Sequence, residues 1–310
     1  MSRVTTQIMD EVKKIICGKD KVILMTLTGI LAGGHVLIED VPGVGKTSMA
    51  LAFSKAMGLD YGRVQFTPDI LPSDITGFSV YDKNSQTMKY QQGAVFHNLF
   101  LADELNRASS RTQSALLEAM EEGQVTVDGN TYELPKPFIV FATQNPFDAS
   151  GTSVIPDSQL DRFSIRVSMG YPSNIEERVM IKSRKGGRNP MDEIEKICDT
   201  NKLLEIQEEV SNMFVTDDIV NYIVDLVSKT RDHVDLLRGA SPRASLILTS
   251  MTRSYAYLAN RNYVIPSDVQ SVFPAVMCHR IRLTQEAEVN KKTTLEVVND
   301  ILETVPVPKI

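Results

Sequence analysis

The 310-residue sequence is short of the features that mark whole classes of protein. It has only three cysteines, Cys17, Cys198 and Cys278, odd in number and far apart. That excludes a disulfide framework or a paired-cysteine metal knot and fits a reducing compartment. The four histidines, His35, His97, His233 and His279, are scattered without metal-ligand spacing, so an autonomous zinc site is not expected. Basic excess is missing too: 33 Lys and Arg stand against 39 Asp and Glu, a net charge of −6, with no basic run to neutralise a phosphate backbone. Nucleic acid is therefore disfavoured as a partner. No apolar run approaches the roughly 20 residues of a membrane-spanning helix. Asp10, Glu11, Lys13 and Lys14 stand where a signal peptide would be apolar, so a cytoplasmic location without a membrane span is expected. Low-complexity tracts and fixed-period repeats are absent as well, and the chain should fold throughout.

What is present reads as two domains, because one hydrophobic core usually organises about 100–200 residues. Apolar residues at Val4, Ile8, Val12, Ile15 and Ile16 have helical spacing and stop at Gly18; a second helix is expected over Lys21 to Leu31. His35 to Glu39 reads as a short buried strand, followed by a Pro/Gly turn and the helix-forming SMALAFSKAM. Further apolar runs at Arg63 to Phe66, Leu99 to Ala102, Phe138 to Thr143 and Ser164 to Val167 bring the expected strand count to five, alternating with helices as a parallel sheet requires. Two excursions interrupt the alternation, at 77–96 and 123–135; in the second, Asp128-Gly129 between alternating apolar residues signals a hairpin. After Gly170-Tyr171-Pro172 the pattern is of helices only, at about 174–184, 202–213, 216–231, 242–260 and 266–278. The expected division is an α/β domain over 1–172, including both excursions, and a helical domain over 173–310. The charged stretch Arg231, Asp232, His233, Asp235 and Arg238 reads as a solvated helix end.

The chemistry concentrates where strands end. DVPGVGKT (40–47) lies between a strand and a helix, as a phosphate loop must, so that backbone N–H groups and a helix N-terminus surround phosphate oxygens. Pro42, Gly43, Val44, Gly45, Lys46, Thr47 and Ser48 are the candidate nucleotide-binding residues, with Lys46 reaching the β and γ phosphates and Thr47 a magnesium ion. Asp40 stands where the usual pattern has its first glycine. The strand LFLADE ends in Asp103, a candidate magnesium residue, and Glu104, a candidate base for the attacking water. The buried strand FIVFAT delivers Gln144, Asn145 and Pro146; the Asn145 amide could hold that water, although Asn before Pro also commonly begins a turn.

Motifs across about the first half of the chain carry a resemblance. LIEDVPGVGKT (37–47), QFTPDILPSDITG (65–77), GAVFHNLFLADELNRASSRTQSALLEAMEEGQVTVDG (93–129), FATQNP (141–146) and LDRF (160–163) together resemble the MoxR family of AAA+ ATPases, in the branch with an insertion in the second helix. Members of that family often carry Asp or another residue at the position of Asp40. The resemblance implies an AAA+ P-loop core with a parallel five-stranded sheet and a C-terminal helical lid. It also implies ATP hydrolysis with Mg2+ and assembly of copies into a ring, commonly hexameric, with ATP at the junctions. Matching positions make Gly45, Lys46 and Thr47 the phosphate and magnesium residues, Asp103 and Glu104 the second acidic motif, and Asn145 the first sensor. Arg162 in LDRF matches the arginine finger and Arg243 in GASPRA the second sensor; apart from the family, Arg162 could pair with Asp157 or Asp161, and Arg243 could be a solvated first-turn residue. Cys17-Gly18-Lys19 resembles the glycine turn that contacts adenine, with an ordinary helix C-cap as the alternative.

The function this implies is a chaperone-like remodeller that helps a client protein mature, assemble or receive a metal, clients with von Willebrand factor A domains being typical. A nucleic-acid motor or loader and a magnesium-chelatase-type subunit are the alternatives, the former opposed by the missing basic stripe.

Overall fold

Side-chain alternation in the buried strands sorts the core into two layers. The computed structural model describes residues 3–145, 155–183 and 189–309; Pro146, and Arg184 at the end of the expected helix 174–184, lie outside these. α1 (Arg3–Lys13) buries Ile8, Met9 and Val12 along one stripe, and α2 (Asp20–Leu31) is buried from Met25 to Leu31. β1 (Val36–Glu39) then runs through the phosphate loop into α3 (Lys46–Ala56). There follow β2 (Tyr61–Gln65), α4 (Pro72–Thr76), β3 (Gly77–Asp82), β4 (Thr87–Gln92), β5 (Leu99–Asp103), α5 (Ser110–Glu122), β6 (Gln124–Val127), β7 (Asn130–Glu133), β8 (Ile139–Gln144), α6 (Asp157–Leu160) and β9 (Ile165–Val167).

Five strands form one parallel sheet in the order β2-β5-β8-β1-β9, at the five places expected from the apolar runs. Val36 and Ile38, Leu99 and Leu101, and Ile139 and Phe141 face one core layer; Leu37, Phe100 and Ala102, and Val140 and Ala142 face the other. Both faces are covered, which is why β5 and β8 read as continuous apolar runs instead of alternating ones. The register aligns the strand ends, with Glu39 beside Gln144 and Gln65 beside Asp103, so the loops after β1, β5 and β8 emerge at one edge. Ligands of open parallel sheets bind outside that carboxyl edge.

Both excursions are antiparallel hairpins, β3 with β4 and β6 with β7. Asp128 and Gly129 at the tip of the second have φ of 50° and 78°, the double left-handed turn that the dipeptide favours. Tyr90 of the first hairpin stacks on Tyr132 of the second, centroids 3.8 Å apart.

Beyond β9 lie α7 (Asn174–Ser183), α8 (Thr200–Ser211), α9 (Asp217–Lys229), β10 (Leu236–Arg238), α10 (Pro242–Leu258), α11 (Pro266–Met277), β11 (Arg282–Leu283), α12 (Gln285–Val289) and α13 (Thr294–Thr304). Pro242 and Pro266 open their helices, where a missing N–H is harmless. The expectation of helices alone needs amending: β10 and β11 pair antiparallel, and Phe214 bridges Tyr263. Strands of two and three residues are too short for a period of two to be read. The helices pack on the sheet's α2 side, where Ser254 donates to the Thr28 carbonyl at 2.7 Å and Gln207 to the Ile30 carbonyl at 2.7 Å.

Candidate active site

The loop after β1 turns at Gly43 and Gly45, with φ of 83° and 98°, conformations that a side chain would strain. Gly45 also caps α3, so Lys46 and Thr47 begin that helix with their N–H groups pointing into the loop. Asp40 accounts for its own departure from glycine. Its Oδ2 accepts the N–H of Met169 and of Gly170, each at 2.6 Å, and the Ser168 hydroxyl at 3.0 Å, while Oδ1 accepts the Val41 N–H at 2.9 Å. The carboxylate thus ties the base of the loop to the segment after β9, work that a glycine could not do.

Lys46 is buried, and its ammonium donates to the Asp40 carbonyl at 2.6 Å. Burial lowers its pKa, and the charges of Asp40, Asp103 and Glu104 oppose the shift. Thr47 Oγ1 faces Asp103 Oδ2 at 3.4 Å. Asp103 Oδ1 accepts the Thr143 hydroxyl at 2.6 Å, and the same hydroxyl accepts the Glu104 N–H at 2.9 Å, so Thr143 of β8 fixes the acidic pair at the end of β5. Glu104 sits at φ 56° and ψ 47°, a left-handed conformation that aims its side chain off the strand axis. Its carboxylate pairs with Arg107 at 3.0 Å. Arg63 of β2 donates to Asp103 Oδ2 at 2.8 Å.

These groups enclose a cavity of about 310 Å³ lined by the loop from Pro42 to Ser48, except Val44, together with Asp103, Glu104 and Asn145. Three larger cavities, about 590 Å³ beside Phe214 and Tyr257, about 560 Å³ behind Asp40 and about 360 Å³ beside Cys198 and Lys202, lack a phosphate loop. Thr47 and Asp103 offer oxygen donors alone, the set that a hard cation such as magnesium takes, so the pair fits that ion. Beside the loop, a Cβ on Gly45 would lie 3.6 Å from Ile16, which brings the turn Cys17-Gly18-Lys19 next to the phosphates' place. Gly18 has φ 71°, and a Cβ there would collide with the Glu176 carboxylate; Lys19 donates to the Tyr171 carbonyl at 2.9 Å.

Arg162 and Arg243 are not among the residues lining this cavity. They meet elsewhere: Arg162 pairs with Glu121 at 3.0 Å, and Arg243 pairs with the other oxygen of the same carboxylate. Asp157 and Asp161, the alternative partners of Arg162, are engaged by Arg238 and Arg280 instead, at 2.8 and 2.9 Å. Sequence reasoning gave no role to Thr143, Arg63, Arg107 or Glu121; Thr143 lies inside FATQNP, Arg107 and Glu121 inside the segment 93–129, and Arg63 in an apolar run that reads only as a strand. A grouping of His233, Asp235 and Asp300 has the spacing of metal ligands, but Lys292 places its ammonium 2.7 Å from Asp235 and 2.9 Å from Asp300.

Residues 35–165 match the family described as ATPase family associated with various cellular activities (AAA), and residues 228–301 the AAA lid domain. An uncharacterised Bacillus subtilis protein, YeaC, is 44% identical across 97% of this chain and 93% of its own length. Chaperone MoxR1 of Mycobacterium tuberculosis is 42% identical across 97% of this chain and 81% of its own. A solved Cytophaga hutchinsonii structure assigned as an ATPase superposes with TM-score 0.90 at 38% identity, over 99% of this chain and 95% of that one. On these matches, the chain belongs to the MoxR family of AAA+ ATPases.

Proposed function

We propose that the chain hydrolyses ATP to ADP and phosphate at the carboxyl edge of its sheet, as one subunit of a ring of identical copies, and that turnover remodels a client protein. The observation that carries this reading is the meeting of Lys46, Thr47, Asp103, Glu104 and Asn145 around one cavity while Arg162, the candidate finger, stands outside it. Lys46 would exchange its contact with the Asp40 carbonyl for phosphate oxygens. Thr47 and Asp103 would hold magnesium, whose charge would offset that on the phosphates. Glu104, once turned from Arg107, would take a proton from the attacking water, and Asn145 would orient it. Cys17, Gly18 and Lys19 would border the adenine. The lid in this reading begins near 173, the ring is hexameric and the location cytoplasmic. The client, with a von Willebrand factor A domain as the leading class, would meet the hairpins at 77–96 and 123–135, where Phe78, Val80, Tyr81 and Met88 are exposed.

Binding and turnover of ATP by Lys46→Ala and Glu104→Gln test the site. Lys46→Ala should lose affinity, whereas Glu104→Gln should bind and lose about 10²–10⁴ in rate, the usual worth of a general base. A Glu104→Gln protein that hydrolyses normally refutes the assignment. Mixing Arg162→Ala with Lys46→Ala subunits tests the ring. Activity above either variant alone requires a sound loop to meet a sound finger across a junction; mixed rings with no rescue refute it.

A further inference from the structure

Glu121 is the last but one residue of α5 and lies in the segment 93–129 without an assigned role, yet it holds two residues that have one. One carboxylate oxygen takes Arg162, two residues past the short α6, at 3.0 Å; the other takes Arg243, in the first turn of α10. All three side chains are between a quarter and two fifths exposed, so the cluster lies on the surface with one side open. The elements around it are fastened independently of Glu121. Ser241, just before α10, donates to Asp161 at 2.7 Å, and the buried Arg280 donates to the other oxygen of Asp161 at 2.9 Å and to the Asp161 carbonyl at 3.1 Å. Gln159 of α6 donates to Ser114 of α5 at 3.1 Å. The backbones that carry Arg162 and Arg243 are therefore set by neighbours. What those neighbours do not supply is a charge between the two guanidiniums, which repel each other. Arg162 Nε, moreover, is buried without a hydrogen-bond partner among the described residues, so Glu121 does not satisfy the whole guanidinium.

We propose that Glu121 is a positioning residue for ATP hydrolysis. It holds Arg162 and Arg243 side by side as one cationic unit, and that unit completes the nucleotide site of a second copy of this chain. The inference rests on the ATPase reading above and adds to it the residue that keeps two arginines together. Two arginines against one carboxylate leave an excess of positive charge facing outward, and a triphosphate offers that pair more charge and more oxygens than Glu121 does. Neither arginine lines the chain's own cavity, which leaves the pair available to a nucleotide held by a second copy.

Glu121→Gln removes the charge and keeps the helix and the side-chain length. Turnover at saturating ATP should fall between about 10-fold and 100-fold, the scale of a misplaced reacting group, with the KM for ATP changed less than about 3-fold. In an Arg162→Ala background the same substitution should add little, since the pair is already broken. Mixed with Lys46→Ala subunits, which keep Glu121 and both arginines, Glu121→Gln subunits should recover turnover, because their own phosphate loops are sound. A Glu121→Gln protein with turnover equal to or above that of the unaltered chain overturns the inference. So does a loss of turnover that Lys46→Ala subunits in confirmed mixed rings fail to rescue, since a defect of folding stays with its own subunit. An unaltered chain that does not hydrolyse ATP overturns the ATPase reading itself, a different outcome from an active chain indifferent to Glu121.

Discussion

At the carboxyl edge of the sheet the charged groups lean on an open cavity, whereas around Asp161 they are sealed. Lys46 takes one carbonyl, and Glu104 keeps one arginine. Arg280, by contrast, is 3% exposed and donates to the Asp161 carboxylate and to the carbonyls of Asp161, Phe163, Ser164 and Val276. Burial pulls its pKa down to about 10, with Asp161 opposing the shift, so it stays charged at neutral pH. The open assembly is arranged to exchange partners with a ligand; the closed one has no exchange to make and serves to hold the segment that bears Arg162. The same chain thus keeps a receptive edge and a rigidly mounted cationic one, and in a ring each would face a neighbour's counterpart. The helical region does the mounting, since Arg238, Ser241, Arg280 and Arg282 all reach Asp157 or Asp161 from beyond α7.

The comparison breaks most severely at Arg280. Arg280→Met keeps the apolar volume but leaves Asp161 and several carbonyls without their donor, a change worth about 3–5 kcal/mol when one partner of a buried pair is removed. Denaturant unfolding should show that loss, and amide exchange should place it first in 157–164, where the bonds are made. Turnover should fall with it, because Arg162 loses its mount, while ATP affinity at the distant phosphate loop is retained. Equal loosening of the loop at 40–47 would show that the two assemblies are not separate units.

Acid offers a smaller perturbation of the ground between them. His35 immediately precedes β1, the strand that leads to the phosphate loop; its Nδ1 accepts the Val140 N–H at 3.0 Å, and its Nε2 donates to the Met120 carbonyl at 3.1 Å, one residue before Glu121. Burial lowers its pKa from 6.5 to about 4, with the Met120 carbonyl opposing the shift. The folded protein therefore prefers the neutral ring, and the unfolded chain takes a proton first as pH falls. Stability from this group is complete above about pH 6.5 and is lost progressively toward pH 4, to a total near 3 kcal/mol at 1.36 kcal/mol per pH unit. Unfolding midpoints measured from pH 7 to 4 should fall more steeply for the unaltered protein than for His35→Gln, which has no ring to protonate. Parallel slopes would assign the acid sensitivity elsewhere.

Much of this was legible in the sequence, for reasons that also explain what was not. β5 and β8 announced themselves because strands buried on both faces are continuously apolar, and Asp128-Gly129 announced its hairpin because few dipeptides accept two left-handed residues. The hairpin of β3 and β4 turns through Lys83 to Gln86, with φ 53° at Gln86 and no glycine, so its sequence carries no comparable signal. Arg280 and Glu121 were invisible for another reason. A charged residue on a helix or in the turn after one reads as solvated unless its partner is known, and Arg280, three residues past α11, finds Asp161 119 residues away. Local pattern locates the residues that end strands at a ligand; it does not locate those that hold other side chains across the fold.

The smallest expected effect lies where neither assembly reaches. Tyr90 and Tyr132 stack with rings 13° from parallel, and Phe96 meets Tyr90 edge-on at 6.0 Å, so the two hairpins support each other near their bases while the outer part of the first, with Tyr81 and Met88, stays exposed. Tyr132→Leu keeps apolar surface and removes the ring pair, which contributes about 0.5–1.5 kcal/mol beyond area burial. If the stack couples the hairpins, the double variant with Tyr90→Leu should lose less than the sum of the two single losses, because the pair exists only while both rings do and its energy is lost once. Denaturant midpoints of the four proteins read this directly. Additive losses would mean that each tyrosine packs separately on the body of the protein and that the hairpins stand as independent units.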